Sequence, residues 1–242
     1  MNALNSFLFV AFPYVAVVTF VVGVLYRWRL KGFTVSSLSS QFLEGKALFW
    51  GTIPFHIGLL VVLLGHVIAF VIPDAVLAWN SRPLRLIVLE GMAFVFGVTA
   101  LVGLGALMVR RIMNARVRAV TTPMDVAIEL LLLVQVVLGC WIALRVRWGS
   151  SWFAAVLTPY LWSLVTLSPE TTAVFALPWV VKLHIVGAFA IVFMIPFTRL
   201  AHVIVAPLDY LVRPYQKVIW NWDRKVIRDP NTAWTVTRPR GG

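Results

Sequence analysis

Long apolar runs broken by short polar stretches organise this chain of 242 residues. A helix that crosses a bilayer needs about 20 mostly apolar residues. Five segments reach that length: Phe7 to Tyr26, Leu48 to Ile72, Leu86 to Val109, Val126 to Leu144 and Trp179 to His202. The first carries no charge before Arg27, the third has Glu90 near its start, and the fourth has Glu129 in its first turn. The pattern predicts an all-α integral membrane five-helix bundle over residues 1–216, followed by a polar basic tail, 217–242. No internal repeat is visible.

Three stretches need separate readings. The first apolar run could be a signal peptide, but no Lys or Arg precedes Arg27. A signal peptide needs a basic region before its apolar core, so the run is expected to stay as a helix. The stretch Arg145 to Pro178 is long for a loop and holds Trp148, Trp152, Tyr160 and Trp162. Its apolar part, Trp152 to Val165, is too short to span and contains Pro159. It is expected to lie along the outer membrane surface, anchored by its aromatic rings, rather than to re-enter the bilayer. The tail mixes Trp220, Trp222 and Trp234 with Arg224, Lys225 and Arg228. It reads equally as a solvated basic tail near anionic headgroups and as a docking arm for a cytoplasmic partner.

Composition agrees with a membrane protein. Hydrophobic residues make up 61% of the chain and charged residues 12%. A soluble domain is about 45–50% apolar and about 25% charged, so a soluble or disordered chain is excluded. The net charge of +12 then points away from nucleic acid and toward basic residues gathered on one side of a membrane. With the N-terminus outside and the C-terminus cytoplasmic, the first inner loop takes Arg27, Arg29, Lys31 and Lys46. The second takes Arg110, Arg111, Arg116 and Arg118. The C-terminal end takes Arg199, Arg213, Lys217, Arg224, Lys225, Arg228, Arg238 and Arg240. Only Arg82, Arg85, Arg145, Arg147 and Lys182 stay outside. The inverted topology would reverse that bias. A single cysteine excludes a disulfide framework, a cysteine-ligated zinc site and an iron–sulfur cluster.

The four histidines, His56, His66, His184 and His202, all fall in the second and fifth apolar segments. Ionisable residues inside a bilayer are expensive and mark function by default. The second segment runs inside to outside and the fifth outside to inside. Depth therefore pairs His66 with His184 near the outer face and His56 with His202 near the inner face. Two imidazoles facing each other across a helix bundle suit a bis-histidine haem, and two levels suit two haems. A zinc site wants three or four ligands together, and a proton relay would add mid-membrane carboxylates. The spacing carries one strain. His56 and His66 lie about 15 Å apart along their helix, and His184 and His202 about 27 Å apart, five full turns on one face. Pro196 is expected to kink the fifth helix between its ligands. Gly65 and Gly187 are expected to lower the bulk where a ring approaches.

The chain resembles the gamma subunit of respiratory nitrate reductase, a membrane cytochrome b family, over roughly residues 1–216. The stretches that carry it are Ser39-Ser40-Gln41, Phe55-His56-Ile57-Gly58 with Gly65-His66, Arg110-Arg111, Arg116-Val117-Arg118-Ala119 with Thr121-Thr122, Leu183-His184, and Pro196-Phe197-Thr198-Arg199-Leu200-Ala201-His202. Pro207 to Leu211 and Tyr215-Gln216 continue it. The outer stretch and the tail after Gln216 do not look typical of the family. The resemblance implies a five-helix subunit of the bacterial or archaeal cytoplasmic (inner) membrane with two b haems. His66 and His184 would ligate the outer, distal haem, and His56 and His202 the inner, proximal one. It implies quinol oxidation near the outer face. Electrons would pass to an iron–sulfur beta subunit and a molybdenum-cofactor alpha subunit on the cytoplasmic side.

Arg111, Arg116, Arg118 and Arg199 are then candidate partners of haem propionates, although a plain positive-inside excess explains any one of them as well. Gly65, His66, Ala69, Arg82, Arg85 and Glu90 are the candidate lining of a quinol site. Asp74, Arg82 and Arg85 read equally as loop residues. The same chemistry with a sulfur-metabolism or heterodisulfide-reductase-type partner is the near alternative. A haem-free membrane anchor or transporter is the alternative of another class.

Overall fold

The computed structural model describes residues 3–30 and 46–204, with the backbone alone at 46 and 47. These residues belong to one compact unit, Met1–Val205. Lys31, the Ser39-Ser40-Gln41 stretch, residues 205–216 and the tail 217–242 lie outside the described residues.

Among the described residues there are helices and no strands. Five helices are long and apolar enough to cross a membrane: Ala3–Leu30, Leu48–Val71, Pro83–Met113, Pro123–Arg145 and Trp179–Phe197. Only 11–17% of each apolar window is buried within the protein. The remaining Val, Leu, Ile and Phe surface faces outward, which water would penalise and lipid tails accept.

Local chemistry sets the ends. The third and fourth spans open with Pro83 and Pro123 in their first turns, where a missing N–H costs nothing. Thr122 and Asp125 form a reciprocal cap: Asp125 N donates to Thr122 Oγ1 at 3.2 Å, and Thr122 N donates to Asp125 Oδ2 at 3.0 Å. The third span ends at Asn114, whose side chain accepts from Arg116 N and Val117 N and starts the short helix Ala115–Ala119. The first and third spans run past the ends read from apolarity; for the third, Pro83 and Asn114 and not hydropathy mark where the helix starts and stops.

The second and third spans pack through small residues. A Cβ added at Gly58 would collide with the Phe96 carbonyl oxygen, and one added at Gly103 with the Phe55 amide. The two backbones touch there, as small residues permit in lipid.

The stretch 145–178 differs from the expected surface-lying segment. It folds as short helices, Gly149–Trp152, Phe153–Leu157, Thr158–Val165 and Thr172–Phe175, and caps one end of the bundle. Leu157, Tyr160, Leu164 and Val174 are buried in one cluster with Phe9, Ile142, Val181 and Ile185. Tyr160 Oη donates to the Phe9 carbonyl at 2.9 Å, and Thr158 Oγ1 to the Ala69 carbonyl at 3.0 Å. Trp162 stacks on Phe70 at 5.1 Å and donates to its carbonyl. Tyr160 is therefore a core residue and not a membrane-surface anchor. The apolar run is amphipathic toward the bundle, and the carbonyls at the helix ends give its hydroxyls partners.

The fifth segment is not one helix to His202. It is α-helical over Trp179–Met194, tightens at Ile195–Phe197, and is extended at Thr198 (φ −121°, ψ 177°). A second tight turn, Arg199–Val203, carries His202. Pro196 cannot donate to the preceding turn, so the helix breaks where a kink was expected. The unequal spacing of the histidines is accommodated by that break and not by five uninterrupted turns.

Candidate functional site

His56 and His202 come from the second span and from the turn after the break. Their ring centroids are 6.1 Å apart, with planes at 58°. Each has its Nδ1 turned back to a carbonyl of its own segment, His56 to Thr52 O at 2.8 Å and His202 to Arg199 O at 2.7 Å. That contact makes Nδ1 the protonated nitrogen and leaves the Nε2 lone pair for a ligand.

His66 repeats the pattern nearer the capped end, with Nδ1 2.8 Å from Val62 O. Its ring meets the edge of Phe153 at 5.2 Å, so the cap reaches this histidine. His184 lies within electrostatic range of His66. It is held differently from the other three. Gln135 of the fourth span donates to the His184 carbonyl at 3.0 Å, with its amide nitrogen 3.4 Å from Nε2. His184 Nδ1 is buried without a hydrogen-bond partner among the described residues. Gly139, and not Gly187, makes room for the ring: a Cβ there would stand 3.2 Å from His184 Cε1. Gly187 faces Gln135 Oε1 instead.

At the end opposite the cap, charges tie three segments together. Arg111 Nε lies 2.8 Å from Glu129 Oε2, and its Nη1 lies 4.0 Å from Asp125 Oδ2. Arg199 Nε lies 3.0 Å from Asp125 Oδ1, and Arg199 also donates to Val120 O at 3.1 Å. Arg118 donates to Ile112 O at 2.8 Å, and Arg116 is exposed. Among the described residues, no three of His, Cys, Asp and Glu gather as they would around a bare metal ion.

The family model described as the nitrate reductase gamma subunit matches residues 5–221. The chain belongs to the nitrate reductase gamma subunit family. It is 32% identical over 222 residues to the respiratory nitrate reductase 2 gamma chain of Escherichia coli, covering 89% of this chain and 96% of that one. It is 32% identical over 206 residues to the nitrate reductase gamma chain of Bacillus subtilis, covering 84% and 92%. A nitrate reductase-like protein of Mycobacterium tuberculosis matches 94% of this chain at 30% identity, over 34% of its own length. Family membership and five spanning helices together describe a multi-pass membrane protein.

In this gamma-family chain, the residues read from sequence as a quinol lining divide. Gly65 and His66 are exposed, and among the described residues no packing neighbour lies within 4 Å of a Cβ placed on Gly65. Ala69 is buried under the cap. Glu90 anchors the cap: its Oε1 accepts from Ser150 N at 2.7 Å and Ser150 Oγ at 2.6 Å. Arg85 lies over the Trp79 ring at 5.0 Å, and Arg82 precedes the third span as an exposed residue.

Sequence reasoning missed Gln135, Gly139, Phe153 and Arg27. Gln135 carried a signal, being a lone amide inside an apolar run. Arg27 was counted only as an inner-loop charge. It donates from the first span to Pro196 O at 2.7 Å and to Thr198 O at 3.1 Å.

Proposed function

We propose that this chain is the quinol-oxidising membrane cytochrome b subunit of a nitrate reductase, with two b haems between its second and fifth segments. The observation that carries the reading is the His56–His202 pair. With metal–imidazole bonds of about 2 Å, rings on opposite sides of one iron have centroids roughly 6 Å apart. The observed separation is 6.1 Å. Two imidazoles that shared an iron would not need parallel planes, so the angle of 58° does not count against the pair. His66 and His184 form the second pair, and the orphaned Nδ1 of His184 fits an imidazole that turns when it takes a ligand.

Haem supplies one-electron carriers at two depths. His56, His66, His184 and His202 would hold them: the carbonyls of Thr52, Val62 and Arg199 fix three tautomers, and Gln135 and Gly139 seat the fourth ring. Arg111, Arg116, Arg118 and Arg199 stand at the His202 end as propionate partners. A guanidinium has five N–H donors, so the carboxylate pairs of Arg111 and Arg199 leave donors over.

Quinol is taken beside Gly65 and His66, where the surface is open, with Arg82 and Arg85 as candidate neighbours, while Ala69 and Glu90 belong to the seat of the cap. With the capped end outside, quinol protons are released there. Electrons leave at the opposite, cytoplasmic end toward an iron–sulfur beta subunit and a molybdenum alpha subunit.

Pyridine haemochrome analysis of the purified complex tests the reading. The expected result is about two haem b per chain. A chain without haem overturns it in favour of an anchor. His66→Ala and His184→Ala should each remove one and the same haem, while His56→Ala and His202→Ala remove the other.

A further inference from the structure

We propose that Arg27, with Gly23 one turn before it, is a positioning residue for His202. The inference rests on the two-haem reading above. His202 is not carried by the fifth helix itself but by a tight turn beyond a break, and such a turn has few bonds of its own to fix it. Breaking a helix orphans carbonyls that the next turn would have satisfied. Two carbonyls of the break accept from Arg27 Nη1: Pro196 O at 2.7 Å, and Thr198 O, which also takes the Ala201 N–H at 3.4 Å, at 3.1 Å. A single charged nitrogen, Nη1, whose two N–H groups reach carbonyls two residues apart ties those carbonyls to one point.

The first span is also shaped for this contact. A Cβ at Gly23 would stand 2.6 Å from Pro196 Cβ and 2.9 Å from Pro196 Cγ, so only glycine lets the break seat against the helix. Pro196 and Thr198 are both buried there. The hold then passes along the chain. Thr198 Oγ1 accepts from Leu200 N at 3.3 Å and starts the turn. Arg199 O meets His202 Nδ1 at 2.7 Å, and His202 faces His56. Arg199 and Asp125 brace the same turn from the fourth span. Arg27 and Gly23 brace it from the first, which contributes no histidine. A ligand must be held within about 0.5 Å of its working position, so a turn braced from one side alone would be too loose.

The test uses the assembled complex in membranes, with Arg27→Ala, Arg27→Lys, Gly23→Ala and the control His202→Ala. The readouts are haem per chain, the low-spin spectra of the two haems, and their separate midpoint potentials. Loss of a partner that orients a metal ligand typically lowers affinity 10- to 100-fold. Arg27→Ala is expected to weaken haem retention at the His56–His202 site by roughly that factor. The residual signal should be broadened or shifted in potential, while the His66–His184 haem is unchanged. Arg27→Lys, which keeps the charge but not the planar geometry that aims two N–H groups, should restore part of the loss. Gly23→Ala should reproduce the selective defect with Arg27 intact.

Arg27→Ala with both spectra and both potentials at native values overturns the proposal. Equal loss of both haems, or failure of all three variants to accumulate, also counts against it, since a general packing role does that. If the native chain holds no haem, or His202→Ala keeps both, the two-haem reading itself has failed. If His202→Ala loses one haem and Arg27→Ala loses none, only the positioning role has.

Discussion

Gly58 and Gly65 sit seven residues apart on the second span, on either side of the middle of the His56–His66 interval, and have opposite duties. A Cβ at Gly58 would meet the backbone of the third span, whereas at Gly65 no packing neighbour among the described residues lies within 4 Å of the same position. Gly58→Ala is expected to cost about 1–3 kcal/mol through overpacking. Gly65→Ala should leave stability unchanged or slightly raised, because alanine is the better helix former. Unfolding of both variants in mixed micelles checks the contrast; equal effects would mean that the two spans separate at Gly58. If quinol binds at the open position, Gly65→Ala should lower quinol oxidation while its unfolding curve stays native. The sequence showed both glycines within two residues of a histidine and offered no way to tell them apart. That difference lies in the third span, through Phe96 and Ala100. The histidines were legible because an imidazole in an apolar run is costly enough to need a reason. Arg27 was not, because its partners are carbonyls, and carbonyls are the same at every position.

The cap and the broken fifth segment are where apolarity stops being informative about elements. A run of Trp, Phe, Leu and Tyr with one proline fits a surface helix and a buried cap equally well. Burial of Tyr160 against Phe9 decides between them. Tyr160→Phe should cost about 1 kcal/mol, the usual net worth of one hydrogen bond. Burial, and secondarily the nearby Tyr14 phenol, push the Tyr160 hydroxyl above its ordinary value. The folded state thus holds this proton to higher pH than the unfolded chain does. Its contribution is complete below pH about 10 and is lost as pH rises beyond that. Alkaline titration should therefore show the Tyr160 tyrosinate absorbance, taken as the difference from Tyr160→Phe, appearing together with loss of the cap. Its appearance at the ordinary pH with the cap intact would contradict the burial. At the other end, Asp125 combines a helix cap with the Arg199 pair. Arg199 is 43% exposed, so solvent weakens that pair and the cap carries most of the effect. Asp125→Ala should cost about 1–2 kcal/mol by thermal unfolding.

For the molecule as a whole, the antiparallel spans put His66, Glu90 and the cap at one end and His56, Arg111 and His202 at the other, and the chemistry depends on which end faces out. Five apolar runs and the order of the histidines were enough to lay out the bundle, because length and alternation follow from hydropathy alone. The side of the membrane comes only from the basic residues, and much of that excess, Lys31 and Arg213 onward, lies outside the described residues. Labelling can settle the side directly. Cys140 is the one cysteine and is partly buried in the fourth span, so Cys140→Ala gives a silent background. Ser168 is exposed in the cap and Ala115 is exposed between the third and fourth spans. Ser168→Cys should react with a membrane-impermeant maleimide in intact cells, and Ala115→Cys only after permeabilisation. Reversed labelling would place the open surface at Gly65 and His66 on the cytoplasmic side. On the proposed reading, the His56–His202 end and the subunits it feeds would then face outward, and electron transfer across the bundle would separate charge in the opposite sense. The positive-inside bias therefore carries an energetic consequence as well as an orientation.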